Sequence, residues 1–422
     1  MLTPSSTLGT NSSEVKLQNM SAILLTLLSQ PNISRVHLAQ QIGVSTSTIT
    51  NLVTELMEMG LVNEDGLVQT DGQASVGRPQ RALQLVPQAR YALGVHISVG
   101  RVHVVLADMT GEMIHPADAY TFDHALDAPW QQVLDTIIQQ INRLQADLTA
   151  YAIDAEQIIG VGVAASGLVD PYTGVNVIAP NLNWHDVAIK DYLETRLGLP
   201  VIVENNVRAM ALAESMFGCA QHVYTTAFVY GLMGVGAGFT IGGQVFRGAA
   251  AGAGEIGHNK VVFYDDNGPQ VRALEDVISE VAIVREAAAI AQHDPNSPIR
   301  QMIQDKTLTL DAVFDAARGG DVALRTMLDD RAFHMGIALS NLVNMFNPDL
   351  IVLGGIFYHH ADVLMPTIET TLREHAFADL GHKVQLETTS FGEYVGRIGA
   401  AAVALERLLY RPVDMALKQS YK

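Results

Sequence analysis

The stretch VIVENNVRAMALAE, residues 201–214, runs from a short β-branched segment through Glu204 and two adjacent amides, Asn205 and Asn206, into a segment of helix formers. A buried strand that feeds directly into a helix is the building unit of an α/β layer. The carboxyl end of such a strand is where these folds place their ligands. A carboxamide hydrogen-bonds a hydroxyl almost as a carboxylate does, but it has no useful basicity. The stretch therefore fixes an α/β fold and leaves two readings of its polar end, a catalytic site or a binding shell.

On either side the same alternation continues. Upstream, YALGVHISVGRVHVVLADMTGEMI reads as strand, turn and strand, and WQQVLDTIIQQINRLQADL as a long helix; IIGVGVAASGLVDPYTGVNVIAPNLNW follows. Downstream come TTAFVYGLMGVGAGFTIGGQVFRGAAAGAGEIGHNKVV, a set of amphipathic helices, NLVNMFNPDLIVLGGIF and GRIGAAAVALERLL. With 422 residues, 48% hydrophobic and 17% charged, the chain is long enough for two or three domains with real cores.

The first 90 residues differ in character. They hold five Lys/Arg against six Asp/Glu, whereas the remaining 332 hold 21 against 38. An acidic body argues against a nucleic-acid surface there and leaves the near-neutral head open to one. In the head, Val15, Met20, Ile23, Leu24, Leu27 and Leu28 form an apolar helical face. Ser34 caps a short helix ending at Gly43, and Ser45 caps a third helix that stops at Gly60. In that third helix Ile49, Leu52, Val53, Leu56 and Met57 face inward; Thr46, Ser47, Thr50, Asn51 and Thr54 face outward. Two strand-like runs around a polar tip follow, completing a winged helix-turn-helix. Thr46, Ser47, Thr50 and Asn51 are the expected base readers, and Lys16, Arg35, Arg78 and Arg81 the expected phosphate anchors. So few cations per head predict a dimer or tetramer on a DNA operator with two half-sites. A three-helix interaction domain with a solvated face is the alternative; caps, Gly43 and wing occurring in order favour DNA.

Cys219 is the only cysteine, which excludes an intrachain disulfide and a cysteine-built zinc site. The N-terminus lacks the charged and apolar regions of a signal peptide, and AILLTLL falls far short of the ~20 residues of a membrane span. A cytoplasmic protein with no membrane partner is expected.

The order winged helix, GVAASGLVDPYTG, PNLNW, ENNVRAMALAE, GVGAGFTIGGQVFRGAAAGAGEIGH, NPDLIVLGG resembles the ROK family of repressors, open reading frames and sugar kinases over nearly the whole chain. It is most similar to the family's sugar-responsive repressors. The resemblance implies a two-lobed actin/hexokinase-like α/β fold with a sugar between the lobes. Expected boundaries are a head at 1–88, a first lobe at 89–203 and 394–422, and a second lobe with the dimerisation surface at 204–393.

Family sugar contacts carry over to Asn205, Asn206, Glu255, His258 and Glu275, with Asn181, Ser166 and Gly167 as further candidates. The family's kinases place an Asp base where this chain has Asn206. Their first phosphate loop, Asp-x-Gly-Gly-Thr, corresponds to VHISVG, with His96 for the Asp and Ser98-Val99 for the glycine pair. With base and cradle both replaced, no phosphoryl transfer is expected. Gly234–Gly238 and Gly354-Gly355 match nucleotide-side glycines and are read as turns kept for packing. The resemblance also implies structural zinc on cysteines after GEIGH, but GHNKVVFYDDNGPQVRALE has none, so no zinc or other cofactor is expected. The effector is expected to be a sugar or sugar-phosphate. The competing reading is a sugar kinase with an appended DNA-binding head, its missing base supplied by an acid such as Asp186.

Overall fold

Local chemistry sets the helix ends of the head. In the computed structural model, which describes residues 12–67, 81–265 and 268–412, α1 (Ser12–Ser29) buries Met20, Ile23, Leu24 and Leu27. Val15, expected on that face, is exposed. It precedes Met20 by five residues, about 140° away around the helix from the stripe. The N-cap hydroxyl of α2 (Arg35–Ile42) is Ser34, accepting from the His37 amide, and Gly43 closes the helix in a left-handed conformation. Ser45 caps α3 (Thr46–Glu58) by accepting from the Thr48 amide, and Ile49, Leu52, Val53 and Leu56 are buried. Met57 is instead exposed, its sulfur accepting from Arg35 Nη2 at 3.6 Å.

The wing strands β1 (Val62–Leu67) and β2 (Arg81–Leu85) pair antiparallel, Val62 opposite Leu85. Arg78 lies outside the described residues. No flexible connector follows. The Val86 amide bonds the Leu61 carbonyl, the Met109 amide bonds the Pro87 carbonyl, and one 3-10 turn, Pro87–Ala89, leads into the body.

The body opens with β3 (Tyr91–Ser98), β4 (Arg101–Asp108) and β5 (Tyr120–Asp123), followed by α4 (Trp130–Asp147) and β6 (Ile158–Ala165). A small antiparallel sheet of β7 (Leu168–Asp170), β8 (Val175–Ala179) and β9 (Trp184–Ala188) comes next, then α5 (Ile189–Leu197) and β10 (Val201–Asn205). The main sheet has the order β10-β6-β3-β4-β5. Strands β3, β4, β6 and β10 bury nearly every residue, as expected of a sheet covered on both faces, whereas the edge strand β5 buries only Tyr120.

From α6 (Asn206–Phe217) onward a second set of elements begins. It comprises β11 (Thr225–Gly231), β12 (Val235–Ile241), β13 (Gln244–Phe246), a hairpin of β14 (Lys260–Asp265) and β15 (Gly268–Ala273), and the helices α7 (Glu275–Ile278), α8 (Glu280–His293), α9 (Arg300–Gln304), α10 (Leu310–Arg318) and α11 (Val322–Phe346). Then come β16 (Leu350–Gly355), α12 (Ile356–His359), α13 (Ala361–His375), α14 (Leu380–Lys383) and β17 (Gln385–Thr388). The sheet order is β13-β12-β11-β16-β17, and the largest core lies between this sheet and α8, α10, α11 and α13. Last, α15 (Val395–Ala404) continues into a π-helix, Leu405–Tyr410.

The chain divides into two compact units. One runs to Glu204 and resumes at Arg397; the other is Asn205–Gly396. The head belongs to the first unit, where α1 packs against the π-helix. No helix among the described residues is long and apolar enough to cross a membrane.

Candidate DNA-binding and sugar-binding sites

The outward face of α3 presents Thr46, Ser47, Thr50, Asn51 and Thr54, all exposed. Its hydroxyls are largely committed. Thr50 Oγ1 donates to the Thr46 carbonyl and Thr54 Oγ1 to the Thr50 carbonyl, each at 2.8 Å; Ser47 shares a hydrogen bond with Ser45. The Thr50 and Thr54 hydroxyls keep only acceptor capacity toward a ligand. The Asn51 side chain makes no hydrogen bond among the described residues, so its carboxamide offers both a donor and an acceptor, the pair that reads adenine in the major groove.

The anchors are less free than the sequence suggests. Lys16 Nζ pairs with Glu55 at 2.6 Å. Arg35 holds Glu64 of the wing with two hydrogen bonds, at 3.0 and 3.2 Å, and donates to the Thr50 carbonyl. Arg35 thus ties α2, α3 and β1 together. Arg81 is exposed, and its side chain makes no hydrogen bond or ion pair among the described residues.

In the second unit the amide pair sits at the first turn of α6. Asn205 is its N-cap: the side-chain oxygen accepts from the Val207 and Arg208 amides at 3.0 and 3.1 Å. Asn206 Oδ1 also accepts from Val207, at 2.9 Å. The Asn206 amide nitrogen has no partner among the described residues, and the first turn carries no acid. A carboxamide at a helix N-terminus can hydrogen-bond a hydroxyl but has no useful basicity of its own.

The GEIGH turn is set against β12 by two glycines. A Cβ on Gly254 would lie 1.8 Å from the Ala237 carbonyl oxygen, and one on Gly257 2.2 Å from that of Val235. With their backbone pressed to the strand, Glu255 and His258 face outward and are exposed. His258 Nδ1 lies 3.7 Å from Glu275 Oε1 at the start of α7. Arg208, not singled out from sequence, is almost fully buried and donates to the Ala251 carbonyl at 2.5 Å, tethering α6 to the loop that leads into Glu255. Its place in the first turn of α6, three residues after the N-cap Asn205, is the only sequence signal for it.

Ser166, Gly167 and Asn181 belong to the first unit, at the β6–β7 corner and in the 3-10 turn Pro180–Leu182. Asp186 is on β9 of the same unit, exposed and left-handed.

At the segment that the resemblance equates with a phosphate loop, the turn between β3 and β4 is flanked by a pair of histidines. His96 stacks on His103 at 6.0 Å with 14° between ring planes. Burial, then His103 and Arg397, push its pKa down to about 3. Its Nε2 is buried without a hydrogen-bond partner. His103 is lowered to about 4, by burial first and then by Arg397. It bonds Thr121 at 2.9 Å, and Arg397 pairs with Asp118 at 3.0 Å. On the nucleotide side the retained glycines serve packing: a Cβ on Gly238 would meet the Val207 carbonyl at 2.7 Å, and one on Gly355 the Gly231 carbonyl at 2.0 Å.

A winged helix-turn-helix joined to two actin-like α/β units defines a DNA-binding protein built on a sugar-kinase type of fold. The ROK family model matches residues 92–407 and a winged helix-turn-helix DNA-binding model residues 18–63; the chain belongs to the ROK family. It is 25% identical to the xylose repressor of Caldicellulosiruptor bescii, over 95% of this chain and 99% of that one. Among solved structures it resembles a ROK family transcriptional regulator homologous to the Mlc protein of Escherichia coli, with a TM-score of 0.79, 24% identity and coverage of 97% and 100%. The ROK family glucokinase of Streptomyces griseus, in complex with glucose and AMPPNP, matches with a TM-score of 0.63 and 25% identity over 75% of this chain and 99% of that one.

Proposed function

We propose that this protein is a sugar-responsive transcriptional repressor whose kinase chemistry has been replaced by recognition. The observation that carries the reading is the first turn of α6, where two carboxamides stand and no carboxylate does. The buried, uncharged His96 at the phosphate-loop position supports it, as does likeness to a xylose repressor along almost the full chain. A sugar would be held by Asn205 and Asn206 with Glu255, His258 and Glu275, whose amide, carboxylate and imidazole groups match a ring of hydroxyls. Two heads of a homodimer would read two half-sites, each through Asn51, with Arg81 among the phosphate anchors. Sugar binding would favour the state with weaker operator affinity.

Fluorescence anisotropy on duplexes selected from a random pool tests the head: Asn51→Ala should alter the selected sequence. Calorimetry over a panel of mono- and disaccharides and their phosphates tests the site, with Glu255→Ala expected to abolish binding while the melting temperature holds. A ligand at about 100 times its Kd should stabilise the wild type by about 2.7 kcal/mol. Enzyme-like production of sugar phosphate from ATP by the wild type would overturn the reading in favour of a kinase.

A further inference from the structure

The fold family's structural zinc does not fit this chain. Cys219 lies after α6, its thiol donates to Glu214 at 3.3 Å, and its pKa is pushed up to about 12 by burial and by that carboxylate. Among the described residues no group of three or more His, Cys, Asp or Glu could hold a metal ion. The segment after GEIGH forms instead the β14–β15 hairpin, paired without interruption from Lys260↔Ala273 to Asp265↔Gly268.

The register of that hairpin has a consequence at its root. Continued one step, it joins Asn259 to Leu274, and the Leu274 amide does bond the Asn259 carbonyl at 2.8 Å. Another step brings His258 opposite Glu275, the pair found 3.7 Å apart. A one-residue slip would turn every side chain to the other face, and a two-residue slip would separate the pair. The register is in turn held by one face of the hairpin. Val261 and Phe263 pack on the main core of the second unit. The Phe263 ring lies 4.7 Å from that of His334, and the Arg272 guanidinium sits 5.4 Å from its centroid. The other face, the cross-strand pair Val262 and Val271, is exposed.

We propose that the β14–β15 hairpin is a metal-free clamp that sets the spacing of His258 and Glu275, with Phe263 as its positioning residue. Its meaning for ligand recognition rests on the sugar-site reading above. The clamp itself does not, because it can be observed without a sugar.

Hydrogen exchange, read at the Leu274 amide, tests the clamp in full-length protein with and without EDTA. Protection in the wild type should be indifferent to the chelator, lost in Phe263→Ser, restored in Phe263→Leu and unchanged in Val271→Thr on the exposed face. With the sugar found by calorimetry, Phe263→Ser should weaken binding by about tenfold or more, and Phe263→Leu should recover it to within about threefold. Stoichiometric zinc whose removal opens the Leu274 amide would overturn the proposal, as would unchanged protection in Phe263→Ser. If the wild type binds no sugar, the sugar reading falls and the exchange result alone decides the clamp.

Discussion

Asn206 stands at the first position of α6 with only hydrogen-bonding capacity to offer. Asn206→Asp would place a carboxylate at a helix N-terminus, which favours the anion by about 0.3–1 kcal/mol. The expected outcome is a slightly higher melting temperature and still no sugar phosphate in a coupled assay, because His96 and Val99 continue to occupy the phosphate-loop position. Appreciable turnover by this variant would show that a single atom exchange had been the whole barrier. The amide pair was legible in the sequence because it interrupts an otherwise regular strand-to-helix reading. That Asn205 caps the helix could not be read there, since a cap and a ligand contact use the same side chain and only geometry separates them. Nor did the residues announce that Lys16 and Arg35 are matched by Glu55 and Glu64, which lie 39 and 29 positions away.

The buried imidazoles give a pH prediction at the same scale. His96 and His103 titrate in the folded chain at about 3 and about 4, against 6.5 for an ordinary histidine. Each binds a proton more readily when unfolded, so their contribution to stability is complete above pH about 6.5 and is lost as pH falls from there to about 4 for His103 and about 3 for His96. His103 is faced by Thr121, Arg397, Asp118, Arg101 and Asp123, the two acids only partly opposing the shift. Melting temperature should fall across this window, and less steeply in His103→Gln; an identical slope would remove the imidazole from the account.

Among the elements, the turn Gly254–His258 and the helix α6 depend on each other. Gly254→Ala forces a Cβ into the β12 backbone, and no rotamer relieves it because the clash is with main chain. The turn should shift, lowering the melting temperature and eliminating sugar binding together; calorimetry and thermal melts on the same preparation check this. Normal affinity in this variant would mean that Glu255 and His258 take no part in the site. Periodicity and caps disclosed the helices of the head, and α/β alternation disclosed both main sheets. The hairpin was missed as an element. In KVVFYDDNGPQVRA the residues Val261–Tyr264 run together without alternating with polar ones, so no two-residue period marks the strand.

On the scale of the whole molecule, the head is part of the first compact unit. The connection from the head to the first lobe is a short joint. β2 ends at Leu85 and β3 begins at Tyr91. Backbone bonds from Val86 to Leu61 and from Met109 to Pro87 fasten the join. Gln157 donates to the Gln88 carbonyl, and the buried Tyr410 hydroxyl donates to the Met109 carbonyl at 2.7 Å. Inserting four glycines after Val86 should leave affinity for a single half-site intact and abolish the effect of sugar on operator binding, as measured by anisotropy. A full sugar response in that variant would route control elsewhere.

A reader of DNA mounted without slack cannot adapt to altered phasing. Moving one half-site by about five base pairs, half a turn of duplex, should defeat a two-headed assembly of the wild type. The glycine-extended variant should tolerate the same displacement, so the short stretch from Leu85 to Tyr91 would act as the gauge by which this protein distinguishes a correctly spaced operator from its constituent words.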